Sequence, residues 1–307
     1  MTDTSGWDAV DIGKSMRSKG RLLPLVLVQA SMNNNAASTS RDTDYLHPSE
    51  ICKRDWCPRS SMYTIYKTTP DKIKDFSFQT LNIFKTGHDI HDKWQDWLQQ
   101  IGILEERELP LFSEEYHIKG NADGLVNDFL GKAILEIKSV GLGTVRFEDY
   151  KLYNMYDNKE ITHDEVWKRI RQPFTTHLKQ VMLYMFVTGV HKGIVLYEWK
   201  ANQAVKEFEV SYQEALIESI LKSCLLVKKS LKNNTLIDRP EWASSSSHAV
   251  CKKCQYNKTC WSNNETNKND NNGTKSSDGS IPIKISDSAE TNGSISRDTE
   301  QPRRLIR

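Results

Sequence analysis

The chain has 307 residues, of which 37% are hydrophobic and 27% are charged. Its 42 basic and 40 acidic residues nearly cancel, which excludes nucleic-acid binding through bulk positive charge and requires a local patch for any such contact. The longest apolar run, residues 21–30, is too short for a membrane span and lacks a convincing secretory cleavage pattern. We therefore expect a cytoplasmic protein without a membrane partner.

Polar segments flank an apolar body. The stretch over 1–44 ends in asparagine and Ser/Thr-rich sequence, and the stretch after Trp261 contains no aromatic residue. Such segments cannot bury enough apolar surface to offset the entropy of ordering. We expect a flexible segment over 1–44, one domain over 45–261 and a disordered polar tail over 262–307.

Apolar periodicity and turn residues predict an alternation of helices and strands. The predicted helices cover 48–67, 78–100, 173–188 and 211–232, and the predicted strands cover 108–112, 116–126, 133–140, 193–200 and 204–210. Gly102 and Gly189 suit helix ends, Pro173 suits a first turn, and Ser211 suits an N-cap. Residues 141–170 are expected to form an irregular insertion or loop. This order predicts a mixed α/β core, and the absence of a phosphate-binding P-loop motif argues against an ATP-driven motor.

Three ionisable residues mark two neighbouring predicted strands. Glu136 and Lys138 lie two residues apart, so they share one face, opposite the apolar Leu135 and Ile137. If the two strands pair across the intervening turn, Asp123 approaches Glu136. Two adjacent carboxylates repel unless a divalent cation lies between them, and a lysine beside the cation can stabilise developing negative charge. An ordinary strand with a solvated Glu–Lys face is the alternative interpretation.

Two further segments supply polar side chains to this group. His91, on the predicted helix upstream, can add a neutral imidazole to the cation, although a surface or capping histidine is the alternative. Gln180 and Tyr184 lie four residues apart on a later predicted helix and therefore share one face. An amide and a hydroxyl in one row suit phosphate or base contacts, and a half-buried polar seam is the alternative.

The motifs follow one another as Gly87-x-x-x-His91, Asp123, Glu136-x-Lys138 and Gln180-x-x-x-Tyr184. Over residues 45–261 this order resembles the RecB-like branch of the PD-(D/E)XK nuclease superfamily. The resemblance implies an α/β restriction-endonuclease-like core, in which helices flank a central mixed sheet. It also implies metal-dependent hydrolysis of DNA phosphodiester bonds by an exonuclease.

The resemblance implies a role for each matched residue at the centre of the site. His91, Asp123, Glu136 and the carbonyl of Ile137 would bind Mg²⁺ or Mn²⁺. Asp123, Glu136 and Lys138 would form the catalytic set, with Lys138 as the catalytic lysine.

The remaining matched residues belong to the periphery of the implied site. Gln180 and Tyr184 would face the active site and contact DNA. His88 is the second choice to His91, because only His91 completes the spacing from Gly87.

The cysteines are clustered near both ends of the body. Cys251, Cys254 and Cys260 form a Cys-x2-Cys-x5-Cys pattern, and Cys57 lies in the segment Trp-Cys-Pro-Arg. In a reducing compartment such clusters indicate a metal site before disulfides. Spacing alone does not separate zinc from iron–sulfur, and Cys52 is the alternative to Cys57 as the fourth ligand.

One cysteine before the nuclease core and three after it resembles the CRISPR-associated Cas-four exonucleases and the AddB nuclease domain. The resemblance implies a [4Fe–4S] cluster on Cys57, Cys251, Cys254 and Cys260, which joins the N- and C-terminal parts of the domain. Zinc is the alternative metal.

The sequence thus predicts a microbial, viral or phage-encoded exonuclease that acts on DNA with single strands or free ends. Recombination, repair or CRISPR-type processing would be its context, and a protein partner or an oligomer is compatible with it. The second hypothesis is a DNA-end-binding subunit of an adaptation or recombination complex, although the complete set Asp123, Glu136 and Lys138 argues against a purely binding role. The third is a zinc-bearing nuclease.

Overall fold

The computed structural model describes residues 26, 28–33, 42–72 and 76–262. Chain contacts divide the protein into the units 1–269 and 270–307, and the second unit lies outside the described residues. The predicted flexible segment and polar tail also lie largely outside them, although residues 28–33 are helical. In the part that is described, no helix is both long and apolar enough to cross a membrane.

Five strands and a set of mostly short helices make up the body between residues 42 and 262. The strands are β1 (Leu104–Ser113), β2 (Ile118–Asp128), β3 (Gly131–Val140), β4 (Lys192–Trp199) and β5 (Val205–Ser211). The helices are α1 (Pro48–Ile51), α2 (Pro58–Ile65), α3 (Phe78–Gln100), α4 (Leu142–Glu148), α5 (Tyr150–Asp157), α6 (His163–Arg169), α7 (Thr175–Thr188), α8 (Glu218–Lys232), α9 (Ala249–Lys253) and α10 (Asn257–Ser262).

The strands form one sheet in the order β1-β2-β3-β4-β5. β3 and β4 are parallel, and the other three pairs are antiparallel. The parallel pair requires a long crossover, which α4 to α7 provide. The protein is therefore an α/β protein with a mixed sheet flanked by helices, as predicted.

The two faces of β3 meet different helices. Leu135 and Ile137 pack with Ile90 of α3 in a small apolar cluster, whereas Ile134 and Val140 belong to the large core on the other face. Because side chains alternate along a strand, Glu136 and Lys138 share the face of the large core. The alternation predicted for this strand is confirmed.

The expectation of an irregular insertion over residues 141–170 is wrong, because this segment forms α4, α5 and α6. Local caps explain the helices. The Asp149 side chain accepts a hydrogen bond from Leu152 N at 2.9 Å, and Thr162 and Glu165 form a capping box at the start of α6. The mixed charges along this segment are typical of a loop, so its capping residues were not recognised from the sequence.

Other helix boundaries also differ from the predictions. The helix predicted over 211–232 begins only at Glu218, because Ser211 is still paired with Lys192 in the sheet and a 3₁₀ turn over Glu214–Leu216 follows. The helix predicted over 48–67 is interrupted between α1 and α2, where Cys57 adopts the extended conformation that a following proline favours.

Candidate active site

The site begins where β2 and β3 separate. Their ladder ends at the pair Gly124–Leu135, and beyond it β3 continues beside β4 alone. Glycine is favoured at position 124, because a Cβ atom there would lie 3.1 Å from the main-chain Glu106 O and 2.7 Å from Leu104 Cδ1, the flexible end of that side chain. This close approach of β1 positions the strand that carries Asp123.

The Asp123 side chain forms a hydrogen bond with β3 beyond the point where the main chain of β2 stops pairing with it. Its Oδ2 accepts a hydrogen bond from Ile137 N at 2.5 Å. Because the N–H and C=O groups of one strand residue point to the same edge, the Ile137 carbonyl points toward Asp123 as well. The carboxylate and the carbonyl predicted as metal ligands therefore lie at the same opening of the sheet.

His91 reaches this opening from α3. Its Nδ1 lies 3.3 Å from Asp123 Oδ1. Burial alone would lower the pKa of His91, but the hydrogen bond and the charge of Asp123 outweigh it and raise the pKa above its ordinary value. His88, the second choice, is exposed on the same helix. Of the two histidines, His91 is the one that contacts Asp123.

Glu136 is a fully buried carboxylate with one unsatisfied oxygen. Its exposed fraction is 0%, its Oε1 forms a close ion pair with Lys138 Nζ, and its Oε2 has no hydrogen-bond partner among the described residues. Burial raises the pKa of Glu136 to about 7, against the attraction of Lys138 and with a further upward contribution from Asp123. A buried carboxylate costs stability even beside a lysine, because the ion pair leaves the second oxygen without a hydrogen bond.

Lys138 stays charged despite its burial. Desolvation lowers the pKa of Lys138, but the neighbouring carboxylates Glu136 and Asp123 outweigh it, and the net shift is upward. For Asp123, burial raises the pKa, and the hydrogen bond from His91 together with the charges of His91 and Lys138 lowers it below the ordinary value. Two carboxylates, one imidazole and one ammonium group thus share a single site, in which Glu136 is fully buried and the other three side chains are partly exposed.

The residues at this opening fit a divalent cation. Carboxylate and carbonyl oxygens are the ligands that Mg²⁺ and Mn²⁺ prefer, and a cation would give Glu136 Oε2 the partner that it lacks. Throughout the described ranges, no three His, Cys, Asp or Glu side chains already surround one metal position. In this structure the side chains of Asp123 and Glu136 are instead engaged with Ile137 N, His91 and Lys138.

Gln180 and Tyr184 lie on one face of α7, as their spacing predicted. Gln180 Nε2 donates to Tyr184 Oη at 2.5 Å, and only 8% and 2% of the two residues are exposed. The pKa of Tyr184 lies well above its ordinary value, chiefly because of burial and also because of the charges of Glu136 and Asp123. The pair therefore faces the buried carboxylates, and direct contact with DNA remains a prediction.

Two groups that support the site were not identified from the sequence. Gln95 of α3 is buried, and its Nε2 donates to the main-chain carbonyl of Asp123 at 2.7 Å and to Glu108 Oε1 at 2.8 Å. Gln95 lies four residues after His91, on the same face of the helix, and this spacing could have identified it as a neighbour of the site. The Gln95 amide holds in place the strand segment that carries Asp123.

The second group is an ion pair behind β4. Glu198 is buried and accepts hydrogen bonds from Lys93 Nζ at 2.6 and 2.7 Å and from Trp94 Nε1 at 2.6 Å. Glu198 is the register partner of Ser139 on β3. This ion pair links α3, the helix that carries His91, to β4. No local sequence pattern predicts it, because Lys93 and Glu198 are distant in the sequence.

The four predicted cluster cysteines line one cavity of about 420 Å³, namely Cys57, Cys251, Cys254 and Cys260. All six cysteines are free, and Cys52 does not line this cavity. Burial raises the pKa of Cys52 to a value far above its ordinary one, and Cys224 and Glu136 are among the neighbours that contribute to the shift. The structure therefore places Cys57, rather than Cys52, with the C-terminal trio.

Hydrogen-bond donors contact the sulfur atoms in this cavity. Tyr256 N donates to Cys254 Sγ at 3.4 Å, and Ser60 Oγ lies 3.6 Å from the same sulfur. Burial raises the pKa of the Cys57 thiol to about 11 in the metal-free protein. Thiolates in such a cavity need compensating donors or metal, and the four sulfurs together with these donors fit a thiolate-bound metal group.

Fold and site together define an α/β protein with a buried carboxylate–lysine centre at the opening of a mixed sheet. No family model matches the chain, and no curated protein matches it. Similar solved structures include SSO0001, at 15% identity and a TM-score of 0.40, with 78% of this chain and 96% of that chain covered. They also include an alkaline exonuclease, LHK-Exo, from Laribacter hongkongensis, at 12% identity, a TM-score of 0.40 and coverage of 62% and 89%. The complex of LHK-Exo with dAMP aligns at 13% identity with the same TM-score and coverage.

Proposed function

We propose that the protein is a metal-dependent DNA nuclease of the RecB-like PD-(D/E)XK type, acting as an exonuclease on DNA with single strands or free ends. The observation that carries this proposal is the convergence of Asp123, Glu136 and Lys138 on β3, with Glu136 fully buried against Lys138 and its second oxygen without a hydrogen bond in the described part of the chain. Burying a carboxylate costs stability even beside a lysine, so its presence in the core indicates a function.

The residues divide the chemistry among them. Mg²⁺ or Mn²⁺, held by Asp123, Glu136, His91 and the Ile137 carbonyl, would polarise the phosphate and supply a nucleophilic water. Lys138, which remains charged, stabilises the negative charge that develops on the phosphate oxygens. His91 fixes the orientation of the Asp123 carboxylate.

The test compares Asp123→Ala with Asp128→Ala, a substitution on the same strand outside the site. End-labelled single-stranded and duplex DNA are incubated with each protein and Mg²⁺ or Mn²⁺. Cleavage by the wild type and by Asp128→Ala, with a loss of at least about 10²-fold in Asp123→Ala, supports the proposal. DNA protection without cleavage by the wild type would instead identify a DNA-end-binding subunit.

We also propose a [4Fe–4S] cluster on Cys57, Cys251, Cys254 and Cys260, with a structural role. The support is that all four line one cavity and that hydrogen-bond donors contact the Cys254 sulfur there. A single zinc ion on the same four thiolates is the alternative. Iron, sulfide and zinc analysis of protein purified without oxygen distinguishes the two metals.

A further inference from the structure

His177 is a polar residue of α7 that the proposed chemistry does not yet use. It lies three residues before Gln180 and seven before Tyr184, so all three share one face of the helix. Its Nδ1 is 2.6 Å from Tyr197 Oη, and Tyr197 is the register partner of Lys138 in the parallel pair β3–β4. Of the polar residues His177, Gln180 and Tyr184 on this face of α7, His177 is the one bonded to the neighbour of Lys138 on β4.

Tyr197 determines which nitrogen of His177 carries the proton. The Tyr197 hydroxyl oxygen accepts a hydrogen bond from Phe174 N at 2.8 Å, and the residue is fully buried. A buried hydroxyl hydrogen needs an acceptor, and Nδ1 of His177 is the acceptor that lies at hydrogen-bond distance from this hydroxyl among the described residues. Tyr197 consequently donates to Nδ1, and the imidazole carries its own proton on Nε2.

The imidazole is neutral under ordinary assay conditions. Burial, with a contribution from the charge of Lys138, lowers the pKa of His177 to about 3. Nδ1 is the ring atom that forms a hydrogen bond within the described ranges, so the Nε2–H donor is available to another molecule. The Nε2–H group of His177 is therefore an uncharged hydrogen-bond donor near Lys138, and the bond at Nδ1 fixes its orientation.

We propose that His177 is a further catalytic residue, whose Nε2–H donates to a non-bridging oxygen of the phosphate held next to Lys138. The inference rests on the proposed nuclease function. A neutral donor adds to the stabilisation of developing phosphate charge without repelling Lys138 or the cation. Because the Tyr197 hydroxyl, which is itself fixed by Phe174 N, holds the His177 ring in advance, little reorganisation accompanies the reaction.

Substitutions separate the donor from the packing of the ring. His177→Phe keeps a ring without a donor, and His177→Gln keeps an N–H near the position of Nε2. His163→Phe is the matched control, because His163 Nδ1 accepts a hydrogen bond from Trp199 Nε1 at 3.2 Å on the same strand but outside the site. We expect His177→Phe to lower kcat about 10²-fold with DNA affinity within about threefold of wild type. His177→Gln should stay within about tenfold, and His163→Phe should cleave like wild type.

A spectroscopic measurement tests the tautomer without any activity. In ¹⁵N NMR spectra of the metal-free protein, His177 should show the Nε2–H form, and Tyr197→Phe should remove this preference. Wild-type cleavage by folded His177→Phe, or an Nδ1–H tautomer in the wild type, overturns the inference. If the wild type cleaves no DNA at all, the nuclease function itself has failed, and the catalytic role of His177 falls with it. If the wild type and His177→Phe cleave equally, the inference alone has failed.

Discussion

At the scale of single residues, Glu136 shows a conflict between stability and chemistry. Its carboxylate is fully buried on the face of the large core, where an apolar side chain would pack without desolvation. Burial raises its pKa to about 7 even though Lys138 lies against it. In the metal-free protein the ionised form of this residue therefore destabilises the fold.

This conflict predicts a pH-dependent gain of stability in Glu136→Gln. Between the ordinary carboxyl pKa of 4.5 and the raised value of about 7, the folded wild type binds more protons than the unfolded chain. Its free energy of unfolding therefore falls as the pH rises through this window, while a glutamine has no proton to lose. In EDTA, the variant should be more stable relative to wild type at pH 8 than at pH 4.5, by roughly 1–3 kcal/mol.

Denaturant unfolding at both pH values, with and without Mg²⁺, measures this difference. Added Mg²⁺ should stabilise the wild type at pH 8 and have little effect on the variant, which lacks the carboxylate. Identical pH profiles for the two proteins would show that Glu136 is not a raised-pKa acid.

At the scale of elements, the helices α4 and α5 present an exposed basic and aromatic surface directly after β3. Phe147 and Tyr150 are 48% and 59% exposed. The guanidinium of Arg54 lies 6.0 Å from the ring centre of Phe147, and Arg146 lies 5.6 Å from that of Tyr153. Arg54 is itself held by the carbonyl of Glu148 at 2.8 Å. Arginines beside exposed rings suit the phosphates and unstacked bases of single-stranded DNA.

This surface predicts two separable effects on binding. Phe147→Ala should weaken the affinity for an oligothymidylate by about 5- to 100-fold without changing its salt dependence, because stacking is lost. Arg54→Gln should reduce the slope of log affinity against log salt by about one phosphate contact. Fluorescence anisotropy without divalent metal measures both.

The control for this binding experiment is Phe129→Ala, at the tip of the β2–β3 hairpin, where the ring is 94% exposed and outside α4 and α5. Equal weakening by Phe129→Ala and Phe147→Ala would mean that exposed rings bind the oligonucleotide nonspecifically. Unchanged affinity in Phe147→Ala would show that Phe147 of α4 does not contact the oligonucleotide.

At the scale of the whole molecule, the C-terminal segment is fastened to α2 and the residues that follow it. Arg59 Nη1 donates to Ile237 O at 2.7 Å, and Asp71 accepts hydrogen bonds from the main chain and side chain of Thr259. The rings of Tyr63 and Tyr256 lie 5.3 Å apart. These contacts hold Cys57 and the cysteine trio around their cavity.

A metal group at this place cross-links positions about two hundred residues apart, so it should stabilise the whole domain. We expect Cys57→Ser to lose bound iron and to lower the free energy of unfolding by about 2–5 kcal/mol. Cys52→Ala is the matched control, since it should lose stability through packing but keep its iron. Iron content and denaturant unfolding of oxygen-free samples provide the readout. Iron retained in Cys57→Ser and lost in Cys52→Ala would assign the ligand to Cys52.

Local signals in the sequence were sufficient for the elements that carry the site. The predicted bounds of α3 are those of the structure, because Ser77 caps its start and Gly102 follows its end with a φ of 77°. The alternation along β3 placed Glu136 and Lys138 on one face, and the short hairpin brought Asp123 next to them.

The unpredicted features depend on contacts between distant parts of the chain. Tyr197 meets Lys138 only through the parallel register of β3 and β4, which about fifty residues separate. The bond between Tyr197 and His177, and the support of Asp123 by Gln95, follow from tertiary packing that no local period encodes. The helices α4 to α6 were not predicted for another reason. They are short, and the mixed charges along their sequence resemble those of a loop.

The placement of the cysteines has a consequence for how the protein is made. Cys57 leaves the ribosome about two hundred residues before Cys260, an interval of roughly 10 to 40 s at roughly 5–20 residues per second. During this time its thiol has no partner cysteine from the C-terminal trio and is open to oxidation or to capture by another metal. The four cysteines lining the cavity are all present only once the last of them has been synthesised, so a metal site that uses all four cannot be completed before Cys260 has been made.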